Sequence, residues 1–135
     1  MKPDFRHEAT RWLGQAERDL DDALFLETGN RFNSCCFLAQ QAAEKAIKAF
    51  LYLQGAEFVW GHSVVELCED AAHFDSQFAL LKKYAASLDK YYIPTRYPDG
   101  LPGGLPADAF QKDDADMAVD KAMKIIEYVK ISFNK

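Results

Sequence analysis

Long apolar runs are missing from this sequence. Every stretch without a charged residue falls far short of the roughly 20 apolar residues that a membrane-spanning helix needs. The opening Met1–Trp12 lacks the apolar centre of a signal peptide, so the chain is expected as written, soluble and cytoplasmic. Cysteine is scarce: Cys35, Cys36 and Cys68 are odd in number, two are adjacent, and no C-x-x-C spacing occurs. That excludes a disulfide framework and argues against a zinc site, leaving small buried hydrophobes in a reducing compartment. Histidine is equally sparse, and His7, His62 and His73 form no H-x-x-x-H pair. Neither a metal nor another cofactor is expected. Basic residues are outnumbered, 16 Lys and Arg against 21 Asp and Glu, for a formal net charge of −5. A duplex-DNA binder usually carries a basic face, so any anion site here must be a local cluster working against an acidic field. No segment alternates polar and apolar residues over a useful length, which removes the strand option.

What remains is helical periodicity in 135 residues, expected to fold as one domain over residues 1–135. Trp12, Ala16, Leu20 and Ala23 recur at steps of three and four and predict a helix over 5–28. Asp4 is its N-cap, Pro3 prevents an earlier start, and Gly29 suits a left-handed C′ position. A second helix over 32–54, closed by Gly55, follows a link so short that the two must be antiparallel neighbours. Its facing stripe is Cys35, Ala39, Ala42, Ala43, Ala46, Phe50 and Leu53. Phe37, Ile47 and Leu51 fall away from that stripe, and only Gln41, Glu44, Lys45 and Lys48 keep a side polar. So apolar a helix is either central or part of a subunit interface. With Phe25 similarly misplaced on the first helix, the pattern points to a homodimer contact. A short helix is predicted over 63–73, where Ser63 and Glu66 have capping-box spacing, and a fourth helix over 76–91. A last one starts near Asp113 or Asp114 and carries Ala118, Ala122, Ile125, Val129 and Phe133. The expected fold is all-α, an up-and-down bundle of four long helices plus one short one.

Four of the five prolines and three of the seven glycines lie between Pro94 and Pro106, where helix is not expected. The segment Lys90-Tyr91-Tyr92-Ile93-Pro94-Thr95-Arg96-Tyr97-Pro98-Asp99 is the most unusual in the chain. The flanking X-Pro steps stiffen it and present Arg96, a planar donor fork suited to phosphate or carboxylate. Tyr92 and Tyr97 offer faces for a base, and Lys90 and Lys48 offer charge. The alternative is that Arg96 pairs with Asp99, or with an acidic residue of the bundle, and so pins the loop; the two roles are compatible. His62 precedes the capping box and serves capping and packing, or else reaches the same cleft. Glu17 with Asp21, and Asp116 with Asp120, lie a helical turn apart and read as solvated faces. No G-x-S-x-G elbow or P-loop occurs.

The run Ala39-Gln40-Gln41-Ala42-Ala43-Glu44-Lys45-Ala46-Ile47-Lys48-Ala49 resembles the signature of the HEPN domain. So do Trp12-Leu13 with Ala16-Glu17-Arg18-Asp19-Leu20, Gly61-His62-Ser63, and the Tyr92–Asp99 loop. The resemblance spans about residues 5–130. It implies a helical bundle that homodimerises and binds nucleotide or RNA, often beside a minimal nucleotidyltransferase in a toxin–antitoxin-like pair. Many members are metal-independent ribonucleases that use an arginine followed four to six residues later by histidine. No histidine follows Arg96 or Arg31 at that spacing. The leading expectation is therefore a non-catalytic nucleotide- or RNA-binding module, with Arg96, Tyr97, Tyr92, Lys90, Lys48, Asp99 and His62 as candidate binding residues. A ribonuclease with a non-standard acid–base group, for which His62 is the candidate, and a plain protein-interaction module are the alternatives.

Overall fold

The computed structural model describes residues 4–135, so Pro3 lies outside the described residues. It is all-helical: α1 (Phe5–Thr28), α2 (Phe32–Leu53), α3 (Val64–Ala72), α4 (Lys82–Asp89), α5 (Pro106–Ala109) and α6 (Lys112–Phe133), with 3₁₀ turns at Ser76–Leu81 and Pro98–Gly100. Three of these are long. The fourth predicted helix is a 3₁₀ segment followed by the two-turn α4, and the Pro98–Gly100 and Pro106–Ala109 turns give the proline-rich stretch more helix than expected. Proline suits the first turn of a helix, where its missing N–H is no loss, and both pieces begin on one.

Asp4 caps α1 by accepting from the His7 N–H at 3.0 Å. At the other end the left-handed residue is Asn30 (φ 60°), not Gly29, whose φ is −95°. Asparagine tolerates that region, and the Arg31 N–H closes the turn on the Leu26 carbonyl at 2.9 Å. Gly55 (φ 101°) ends α2 as the sequence suggests.

α2 is the central element. It packs antiparallel to α1 along their length, against α6 on another side, and against α3, α4 and α5 at its margins. Alanines 39, 42, 43, 46 and 49 are fully buried and bring the axes close. Ile47 and Leu51 are buried within the same chain, so the apolar circumference of α2 follows from its central position and needs no subunit contact. Phe25, by contrast, is 75% exposed. Among the described residues no helix is long and apolar enough to cross a membrane. Cys35, Cys36 and Cys68 are free and fully buried, and burial pushes each thiol up to about 12, leaving them inert packing groups.

Candidate functional site

The chain beyond α4 folds back onto its own bundle. Thr95 is buried, its hydroxyl donating to the Tyr91 carbonyl while its own carbonyl accepts from Asn33 of α2 at 3.0 Å. Tyr91 is buried beside Phe110, and desolvation pushes its hydroxyl up to about 12, so the ring stays neutral. Gly100 lies so close to Pro94 that an added Cβ would stand 3.0 Å from the Pro94 Cα, a contact that would force the backbone to shift by a few tenths of an ångström. The loop is a fixed element, packed in cis.

These anchors hold Arg96 at the surface. Its Nε and Nη2 donate to the Tyr92 carbonyl at 2.9 and 2.7 Å, and its guanidinium carbon lies 4.2, 4.7 and 5.1 Å from the ring centroids of Phe37, Tyr92 and Tyr97. Arg96 is pinned, but by a carbonyl and three rings; Asp99 is exposed and makes no ion pair with it among the described residues. The guanidinium thus retains N–H donors for an incoming anion. Tyr97 is half exposed, and Lys90 stands exposed at the C-terminus of α4.

Tyr92 is shared. His62 stacks on it with centroids 4.8 Å apart, which brings His62 into the cleft of the loop rather than into the cap of α3. Its Nδ1 lies 3.3 Å from both carboxylate oxygens of Glu44, and its carbonyl accepts from Gln40 at 3.0 Å. The side chain is 58% exposed, and its Nε2 has no protein partner among the described residues. The cap of α3 falls to other groups. Ser63 Oγ accepts from the Glu66 N–H at 3.2 Å, and Asp89, at the end of α4, accepts from Ser63 Oγ and from the Val64 and Val65 N–H groups.

Glu44 is the hub that sequence reasoning misses. Periodicity puts it on a polar, solvated side of α2, yet only 4% of its side chain is exposed. It accepts from Gln40 and Gln41, pairs with Lys48 at 3.2 Å and faces His62. Phe37, Gln41, Glu44 and Lys48 follow one another by four, three and four residues, so one face of α2 builds the floor of the site. Lys48 is itself buried, 5.7 Å from the Trp12 ring centre, and supports Glu44 instead of meeting solvent beside Arg96. A second pair, half-buried Lys45 with buried Asp19, ties the next face of α2 to α1, with Gln15 donating to Asp19 at 2.8 Å. The signal for both is in the sequence: charged residues on a helix otherwise too apolar to be at the surface.

The acidic helix faces are satisfied by lysines. Asp116 pairs with Lys112, Asp120 with Lys124 and Glu17 with Lys130. Among the described residues no group of histidine, cysteine and carboxylate side chains could hold a metal ion.

A helical bundle whose central helix carries Gln-Gln-x-x-Glu-Lys beneath a Tyr-Ile-Pro-Thr-Arg-Tyr-Pro-Asp loop defines a class. The model of the HEPN domain matches residues 9–132, and the chain belongs to that family. Among curated proteins it is 28% identical over 131 residues to "Putative toxin MJ1304" of Methanocaldococcus jannaschii, covering 90% of this chain and 86% of that one. Solved structures agree in fold. TT1696 from Thermus thermophilus superposes with a TM-score of 0.86 at 39% identity, over 90% of this chain and 95% of that one. ST0689, an archaeal HEPN homologue, gives 0.77 at 38% identity, over 93% and 97% of the two chains. A HEPN domain protein of Thermotoga maritima gives 0.75 at 30% identity, over 93% and 98%.

Proposed function

We propose that this chain is a toxin-type HEPN module that binds a nucleotide or an RNA end at the Arg96 loop. Membership of the family and likeness to a protein named as a toxin are consistent with a toxin–antitoxin-type role. The observation that carries the binding reading is the exposed guanidinium of Arg96. It is fixed by the Tyr92 carbonyl and three rings, and His62 stacks on one of those rings. Fixing a donor fork in advance lowers the ordering cost of holding a phosphate oxygen. Tyr97 supplies the open ring for the base, and Lys90 adds charge. The reading includes a homodimer and a minimal nucleotidyltransferase as protein partner, both implied by the resemblance to the family.

One observation favours a second reading, a metal-independent ribonuclease. His62 is oriented by Gln40 and by the buried Glu44 carboxylate, with Nε2 unpaired among the described residues, an arrangement suited to moving a proton at an RNA hydroxyl. One experiment addresses both. Titration calorimetry with nucleotides and short RNAs, run on the parent and on Arg96→Ala, should show affinity falling roughly ten- to hundredfold in the variant, as expected for a charge-assisted hydrogen bond. Equal affinity would sink the site. In parallel, labelled RNA is incubated with the parent and with His62→Ala. Cleavage by the parent that is lost in the variant establishes the ribonuclease, and an intact substrate in both leaves the binding module.

A further inference from the structure

Between α2 and α3 the chain runs through Phe58-Val59-Trp60-Gly61-His62, and the two largest apolar side chains of this run face outward. Phe58 is 75% exposed and Trp60 82%. Their rings lie 6.2 Å apart and nearly parallel, at 26°. This placement is built into the segment. Val59, between them, packs against the core, and its N–H donates to the Tyr52 hydroxyl at 3.3 Å. Tyr52 in turn stacks on Trp12 at 5.3 Å. With Val59 held inward, its neighbours Phe58 and Trp60 are left outside together.

The pair is continuous with the Arg96 site. Trp60 and His62 are two residues apart, so their Cα atoms are separated by no more than about 7 Å. From His62 the series passes to Tyr92 at 4.8 Å and from Tyr92 to the Arg96 guanidinium at 4.7 Å. Two ring pairs, Tyr92 with His62 and Trp60 with Phe58, therefore lie one short chain step apart, joined through Gly61 (φ 96°). Beyond Phe58 lies a hollow lined by Phe5, Tyr52 and Ala56 together with the acidic residues Asp4, Glu8 and Glu57, whose charge repels a phosphate backbone.

We propose that Phe58 and Trp60 are a stacking platform for unpaired bases of a single-stranded RNA whose phosphate sits at Arg96, so that the site takes an oligonucleotide in preference to a mononucleotide. The inference rests on the reading of Arg96 given above. Every base offers a face for such rings whatever its identity, so the platform selects for single-strandedness and length, not for sequence. A protein occupant fits less well. Two aromatic side chains supply about 500 Å² at most, against the roughly 800 Å² per partner of a standard interface. Along the chain their neighbours Glu57, Gly61 and His62 add no large apolar side chain, and the apolar surface continues on the Phe58 side, to Phe5 and Ala56.

The test is a length series. Adenosine monophosphate and oligoadenylates of two, three and four nucleotides are titrated calorimetrically into the parent, Phe58→Ala/Trp60→Ala and Arg96→Ala. Both aromatic side chains are exposed, and circular dichroism checks that the double variant keeps its helix content. The parent should bind more tightly by about tenfold for each added stacked nucleotide, over one or two steps. The double variant should bind the mononucleotide like the parent and lose the rise with length. A rise that persists in the double variant, or a parent that binds all lengths equally while Arg96→Ala loses the mononucleotide, overturns the platform and leaves the Arg96 site standing. Mononucleotide binding unchanged in Arg96→Ala removes the underlying site and the inference with it. A dimer that dissociates in the double variant on sedimentation assigns the rings to a second copy, which also overturns the proposal.

Discussion

At the scale of single residues, the chain spends buried charge where a bundle normally spends leucine. Glu44 and Lys48 are 4% and 7% exposed and meet at 3.2 Å on the central helix. Burying such a pair gains little net stability over apolar side chains of similar size, but removing one partner strands the other. Glu44→Ala should therefore destabilise by roughly 3 kcal/mol, measured by urea denaturation. Replacing both, as Glu44→Leu with Lys48→Met, should recover most of that loss. If the double variant is no more stable than the single, the cost belongs to Gln40, Gln41 and His62, which also contact Glu44. This is where sequence reading falls short. Helical periodicity places Glu44 on the polar side of α2, and nothing in the spacing says that His62, 18 residues on, closes over it. Arg96 is legible because two prolines and three tyrosines around one arginine are unusual in a bundle. Its partners are not, since a backbone carbonyl and ring faces have no sequence signature.

At the scale of elements, the long helices can be read from their period and the short ones cannot. α1, α2 and α6 each repeat their apolar stripe over about six turns, so local ambiguity averages out. Over 76–91 the same period continues across a change from 3₁₀ to α geometry, because the stripe alone does not distinguish three residues per turn from 3.6. The start of α3 shows what else is lost. Its Ser63 is legible as a cap, but Asp89, 26 residues later, takes the Ser63 hydroxyl at 2.7 Å and the Val64 N–H at 2.6 Å. That carboxylate fastens the end of α4 to the positive end of α3. Asp89→Ala should cost about 2 kcal/mol in denaturant titrations, and Asp89→Asn less, since an amide oxygen still accepts. Hydrogen exchange locates the effect: protection should fall first at Val64 and Val65. Uniform loss across all helices would mean that Asp89 supports the core instead of the cap.

At the scale of the whole molecule, charge decides how any RNA must be held. The chain carries −5 overall, and a second copy doubles the deficit, so long-range attraction cannot gather a polyanion. Lysines on the outer helix faces are already paired with carboxylates at Asp116, Asp120 and Glu17. At the candidate site Arg96 stands exposed to meet phosphate, with Lys90 exposed at the end of α4, so the proposed binding neutralises one or two phosphates. For single strands the slope of log K against log salt is about −0.7 per phosphate neutralised, so the slope here should be about −1. The rest of the affinity must then come from rings, which salt barely screens. Measuring oligoadenylate affinity between low and moderate potassium chloride checks this directly. A slope steeper than about −3 would require several further cations and would move the RNA to a surface other than the Arg96 loop. A shallow slope that does not change in Arg96→Ala would leave stacking as the whole of the interaction. A shallow slope that flattens further in Arg96→Ala is the result expected of one fixed guanidinium that meets one phosphate, with stacking on exposed aromatic rings supplying the rest.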